Sequence, residues 1–281
     1  MMKHREYKLI KRVGLILVIL MISLPALAGC GGNNGSGSGS GKTATPAAPS
    51  DAKVDVNISA AASLTDALGE IQQRYREQSN ANLQFNFGAS GTLQQQIQGG
   101  APCDLFISAS KANMDTLEDG GLIVKDSRKD LLGNQLTLIA AKERAEAIKG
   151  YEALTTDEVA SIAVGTPETV PAGKYAQQSL QHLGVWDQIQ SKIVYGKDVK
   201  GVLEYVDTGN ADCGFVYKTD AMTMDTGAVV MDMPEDSHDP IVYPAALIKD
   251  SAQQEAAQKF YDFLQSDYAK GVFEKYGFTV L

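Results

Sequence analysis

From Val54 to Ile248, short runs rich in β-branched and aromatic residues alternate with stretches of helical periodicity, and this alternation restricts the possible folds more than any other feature. Strand-then-helix order calls for parallel strands joined by crossover helices. Val54-Asp55-Val56-Asn57-Ile58 is followed by Leu64, Leu68, Ile71 and Tyr75, which share one face of a helix. Further strands are expected at Asn82 to Phe87, Asp104 to Ile107, Gln135 to Ala140, Ser161 to Val164, Lys192 to Tyr195, Cys213 to Tyr217, Ala228 to Met231 and Val242 to Ile248. A helix from Ser251 to Leu264 would carry Ala256, Phe260, Phe263 and Leu264 inward, and a last short helix would stop before Gly277, a suitable C′ residue. Cys103 to Ala109 and Cys213 to Tyr217 each lead an apolar strand into a polar loop, which suits two similarly built lobes facing one cleft.

The amino terminus sets the compartment. Lys3, Arg5, Lys8, Lys11 and Arg12 precede an apolar stretch from Val13 to Leu24, the pattern of a secretory signal. That stretch is too short to span a hydrocarbon core, which needs roughly 20 residues. It ends in Leu27-Ala28-Gly29-Cys30, which resembles the bacterial lipobox, so Cys30 is the expected site of lipidation and the first residue of the mature chain. Residues 30–50 are dominated by Gly, Ser, Asn, Thr, Ala and Pro. Such a segment builds no core and acts as a tether with a reach of roughly 25 Å. The expectation is an extracytoplasmic, lipid-anchored protein at the outer face of the cell membrane.

With five basic residues and one acidic residue of the signal taken from totals of 25 and 34, the mature chain has a net charge of −13. Nucleic acid is therefore not an expected partner. Beyond Cys30, only Cys103 and Cys213 are present, each leading into an apolar run, and two buried thiols are expected rather than a disulfide. An enzyme is not indicated. Gly88-Ala89-Ser90-Gly91-Thr92 misses the Gly-x-Ser-x-Gly spacing of a hydrolase elbow, and His182 belongs to a solvated helix face. Glu235-Asp236-Ser237-His238-Asp239 reads as a solvated loop rather than a metal site, and the glycine-serine repeat from Gly35 to Gly41 as linker rather than phosphate loop.

Five strand-to-loop junctions stand out, because each puts small or hydroxyl residues where helix N–H groups lack intrahelical partners and anions can bind. They are Ser59 to Asp66, with Ser63 as a candidate N-cap; Phe87 to Leu93; Gly165 to Gly173, with Pro171 in the first turn of a helix; Lys197 to Gly201; and Phe215 to Tyr217. Together with Gly99-Gly100-Ala101-Pro102-Cys103-Asp104, Leu131-Leu132-Gly133-Asn134, Val170-Pro171-Ala172-Gly173-Lys174-Tyr175-Ala176, Pro234-Glu235-Asp236-Ser237-His238 and Tyr276-Gly277-Phe278, these segments resemble the molybdate-binding proteins of ABC importers, the ModA family.

The resemblance implies an α/β chain with the type II periplasmic-binding-protein fold, two lobes with mixed, mostly parallel sheets around a central cleft. Lobe I would comprise residues 51–134 plus 241–281 and lobe II residues 135–240, behind a signal peptide at 1–29 and the tether at 30–50. It also implies a ligand shell of Ser63, Ser90, the backbone N–H groups of Ala172 and Val199, and the Tyr217 hydroxyl, holding molybdenum as the molybdate oxyanion. Ser90 is placed by register, and Thr92 is the alternative. Molybdate or tungstate would pass to an ABC permease, with no cofactor and a monomeric receptor; sulfate is the closest rival ligand.

The physics of such a shell stands apart from the resemblance. A dianion leaving water must regain its hydration from donors. Each hydrogen bond to a charged group contributes roughly 1.5 to 3 kcal/mol, and each helix N-terminus adds about 0.3 to 1 kcal/mol. A donor-only cage also disfavours phosphate, whose remaining proton near neutral pH needs an acceptor.

Overall fold

The computed structural model describes residues 53–281, so the signal-like segment, Cys30 and most of the tether lie outside the described residues. Eleven strands among those residues form two mixed sheets. The first has the order β11-β4-β10-β3-β1-β2, where β1 is Val54–Ala61, β2 Ala81–Gly88, β3 Leu105–Ile107, β4 Lys129–Gly133, β10 Val242–Leu247 and β11 Thr279–Val280. The second has the order β7-β6-β8-β5-β9, where β5 is Leu136–Ala140, β6 Ile162–Gly165, β7 Ile193–Gly196, β8 Cys213–Tyr217 and β9 Ala228–Asp232.

The two sheets repeat one plan. β2, β1 and β3 run parallel, and β10 and then β4 follow antiparallel. In the same positions β7, β6 and β8 run parallel, and β5 and then β9 follow antiparallel. The chain passes from the first sheet to the second between β4 and β5 and returns between β9 and β10, so β5 and β10 are the antiparallel strands that receive the crossings. The central strands β5 and β8 are buried at every position, as expected for strands covered on both faces.

Helices α1 (Thr65–Arg76), α2 (Ser90–Gln98), α3 (Lys111–Asp119), α7 (Gln254–Phe263) and α8 (Asp267–Lys275) pack with the first sheet. Helices α4 (Pro171–His182), α5 (Val199–Asp207) and α6 (Lys218–Ala221) pack with the second. Each sheet with its helices is one lobe.

Three details depart from expectation. β4 and β11 are absent from the predicted strands: Lys129-Asp130 places two charges at the start of β4, and β11 is only two residues long, so neither shows a period. The inward face of α7 is Ala257, Phe260 and Tyr261, continued by Leu264, while Ala256 and Phe263 are only partly buried. Ser63 is not an N-cap. Residues Ala62–Leu64 form a 3-10 turn, α1 begins at Thr65, and Leu64 precedes it without a side-chain cap. Gly277 has φ of 85°, the left-handed conformation expected just past a helix end. Cys103 and Cys213 are buried free thiols. Burial raises both thiol pKa values, that of Cys213 to about 12.

Candidate ligand-binding site

The five junctions lie at the carboxyl ends of β1, β2, β6, β7 and β8, where open α/β sheets bind ligands. The register explains why the first two meet. β1 pairs with β2 as far as Ala61↔Gly88, so both strands end together and their following turns open side by side. β6 pairs with β7 as far as Gly165↔Gly196 and repeats the arrangement in the other lobe.

A small cavity of about 10 Å³ between the lobes is lined by Ser63, Ser90, Ala172, Val199 and Tyr217, together with Ala61, Ala62, Gly88, Ala89, Ala109, Val170 and Pro171. All five sequence-predicted residues are thus brought together. Thr92, the alternative to Ser90, is not among the lining residues. That volume is far below the roughly 300 to 1,000 Å³ of pockets for drug-sized ligands, so only a compact solute of a few atoms suits the cavity. Among the described residues, no lysine, arginine, aspartate or glutamate lines it.

Its polar groups are donors held by the fold. Ser90 is the first residue of α2, and its Oγ accepts a hydrogen bond from Ala109 N at 2.9 Å, so its own proton is free for the cavity. Ser63 Oγ lies 2.9 Å from Tyr243 OH, which in turn accepts from Asn134 Nδ2 at 3.1 Å. Ala172 follows Pro171, which occupies the first position of α4, and Val199 is the first residue of α5. Neither N–H has a hydrogen-bond partner outside its helix among the described residues, as helix geometry requires of first-turn donors. Asp198 caps α5 by accepting from Gly201 N at 2.8 Å, which leaves the Val199 N–H untouched.

The turn presenting Ala172 depends on Gly173. A Cβ there would sit 1.8 Å from the carbonyl oxygen of Gly165, so only glycine lets α4 start this close to the end of β6. Tyr217 ends β8, is 1 % exposed, and its hydroxyl has no hydrogen-bond partner among the described residues. Burial, reinforced by Tyr243, Tyr175 and Asp220 nearby, holds its phenol pKa well above the ordinary value, so Tyr217 remains a neutral O–H donor. An unpaired buried hydroxyl costs on the order of 1 to 3 kcal/mol.

Tyr243, Asn134 and Ala109 are parts of this site to which the sequence reading gave no role. Asn134 closes the Leu131-Leu132-Gly133-Asn134 segment and Ala109 follows a strand end, but nothing local marks Tyr243, which lies 180 residues from Ser63. Outside the cavity, Lys200 Nζ reaches across the lobes to Asp66 Oδ2 at 2.7 Å and lies 3.5 Å from Asp220 Oδ1. Asp220 is fully buried, and desolvation pushes its pKa up to about 6 against the pull of Lys200. His182 is exposed at the end of α4, and among the described residues no group of His, Cys, Asp or Glu is arranged to hold a metal ion.

Two similarly wound lobes closing on a small donor-lined cavity define a solute receptor of the type II periplasmic-binding-protein fold. The chain belongs to the bacterial extracellular solute-binding protein family, which matches residues 56–279. It is 48% identical over 223 residues to YvgL of Bacillus subtilis (strain 168), provisionally named an ABC transporter substrate-binding lipoprotein, covering 79% of this chain and 85% of that one. It is 39% identical over 227 residues to the molybdate-binding protein ModA of Haemophilus influenzae (strain ATCC 51907 / DSM 11121 / KW20 / Rd), covering 79% and 89%. Among solved structures, a substrate-binding domain ascribed provisionally to a molybdenum ABC transporter of Clostridium difficile superposes with a TM-score of 0.63 at 47% identity, covering 81% of this chain and 99% of that domain.

Proposed function

We propose that this protein captures molybdate, and tungstate with it, outside the cytoplasm and hands it to the permease of an ABC importer. The observation that carries this reading is the Tyr217 hydroxyl, buried without a partner among the described residues on the wall of a small cavity that the Ser63 and Ser90 hydroxyls also line. In this reading Ser63 and Ser90 give hydroxyl and backbone donors, Ala172 and Val199 give N–H groups at the starts of α4 and α5, and Tyr217 closes the shell. Relatives named for molybdate at up to 39% identity support the ligand. The receptor acts as a monomer, needs no cofactor and performs no catalysis.

The mature chain is held at the outer face of the cell membrane by lipid on Cys30, a reading supported by the Leu-Ala-Gly-Cys motif and by the lipoprotein name of the Bacillus relative. Because the mature chain is acidic, recruitment depends on local dipoles rather than long-range attraction. Calorimetric titration of the Cys30→Ser protein lacking residues 1–29 with molybdate, tungstate, sulfate and phosphate tests the ligand. One-to-one binding of the first two with little response to the others is expected; preference for sulfate, or silence from all four, would overturn it.

A further inference from the structure

We infer that Gly91 is a positioning residue for ligand binding, glycine because the two lobes touch backbone to backbone at this point when they close. The inference rests on the proposed oxyanion reading and adds a determinant outside the five-residue shell. Gly91 is the second residue of α2 in the first lobe, and its N–H donates to the carbonyl oxygen of Thr169 in the second lobe at 2.9 Å. A Cβ at Gly91 would lie 2.7 Å from that oxygen, 2.9 Å from the Thr169 Cα and 3.1 Å from its carbonyl carbon. The nearest obstacles are all backbone, so no side chain can turn aside to make room.

The Thr169 turn has little freedom to retreat. Its N–H and that of Val170 both donate to Thr166 O, at 3.1 and 2.8 Å, and Thr166 N donates in turn to Gly196 O at 3.0 Å. The conformation of Gly91 itself does not demand glycine, since it is an ordinary helical residue without a positive φ. Alanine would be the better helix former there. The requirement therefore arises only from the other lobe.

The position gives that requirement its consequence. Gly91 adjoins Ser90, and Thr169 lies three residues before Ala172 in the turn that leads into α4. Any separation forced at Gly91–Thr169 draws the Ser90 donors away from the Ala172 N–H, and one anion cannot then be reached by both. Gly91→Ala is thus expected to leave each lobe intact while preventing the approach that completes the site.

The test compares the parental mature chain with its Gly91→Ala variant, both carrying Cys30→Ser, by melting without ligand, by calorimetric titration with molybdate, tungstate, sulfate and phosphate, and by small-angle scattering with and without saturating anion. The expected result is a ligand-free melting temperature equal to or above the parental value, affinity at least ten-fold weaker, and loss of any ligand-induced compaction seen in the parent. Parental affinity in the variant would overturn the inference and leave the ligand assignment standing, as would a lowered ligand-free melting temperature, which would make Gly91 a requirement of the fold. Failure of the parental chain to bind any of the four anions would overturn the ligand assignment and this inference with it.

Discussion

Asn134 Nδ2 donates to the hydroxyl of Tyr243 at 3.1 Å, and this bond decides which way the Tyr243 proton points. The amide cannot be reversed without loss, because Asn134 Oδ1 accepts from Gln135 N at 2.9 Å and Nδ2 also donates to Thr219 Oγ1 at 2.9 Å. With Tyr243 already accepting, its single proton goes to Ser63 Oγ at 2.9 Å, and Ser63 turns its own proton into the cavity. Tyr243 is fully buried, and burial, with Asp220 adding to it, keeps its phenol pKa well above the ordinary value, so the relay holds across physiological pH. A residue outside the cavity lining thus makes Ser63 a donor.

Tyr243→Phe removes that relay. Ser63 becomes free to rotate, and Asn134 loses an acceptor. Affinity for molybdate should fall by about ten-fold, which is 1.4 kcal/mol, with a parallel loss of thermal stability on the order of 1 to 3 kcal/mol from the buried groups left unpaired. Titration and melting of the same preparation check both, and unchanged affinity would remove Tyr243 from the mechanism.

Tyr217→Phe should behave differently. The hydroxyl makes no hydrogen bond to the protein among the described residues, so its removal breaks none and should leave the melting temperature equal to or above that of the parent. Binding loses one hydrogen bond to a charged ligand, worth roughly 1.5 to 3 kcal/mol, or between ten-fold and about a hundred-fold in affinity. A variant that binds as well as the parent would take Tyr217 out of the shell.

Asp220 introduces a pH dependence of stability rather than of binding. Its carboxyl titrates at about 6 in the folded chain against an ordinary 3.8, so the folded form holds the proton more tightly than the unfolded one. The penalty, roughly 3 kcal/mol, is present in full above pH 6 and fades as pH falls through 6 towards 4. Asp220→Asn should therefore raise the melting temperature at pH 7.5 and give no gain at pH 4. Lys200→Met, which strips the buried carboxylate of its nearest cation, should destabilise at pH 7.5, and adding Asp220→Asn should recover most of the loss. Equal effects at both pH values would contradict this account.

Replacement of Cys30 by Ala in the full-length chain should release the protein from the membrane fraction on export. Retention in that fraction would refute the lipid anchor.

The alternation that begins at Val54 and the five junctions were legible because strand ends and helix starts are local patterns, and the cavity gathers residues that each stand at such a boundary. β4 was not, since Lys129-Asp130-Leu131-Leu132-Gly133 has no alternation and gains its place by pairing with β10 and β11. Ser63 was legible as a donor and misread as a cap, because the 3-10 turn that displaces the start of α1 to Thr65 has no signature of its own. Tyr243 and the Gly91–Thr169 contact were out of reach for a common reason. Each is a meeting of segments far apart in the chain, and neither side carries a mark of its partner.

The central claim is that donors from both lobes converge on one oxyanion, and anomalous diffraction at the molybdenum edge from crystals grown with molybdate tests it most directly. The account predicts a single molybdenum peak in the cavity, its oxygens within hydrogen-bond reach of the Ser63 and Ser90 hydroxyls, the Ala172 and Val199 N–H groups and the Tyr217 hydroxyl. A peak elsewhere on the chain, or one whose oxygens meet donors from a single lobe, would contradict it.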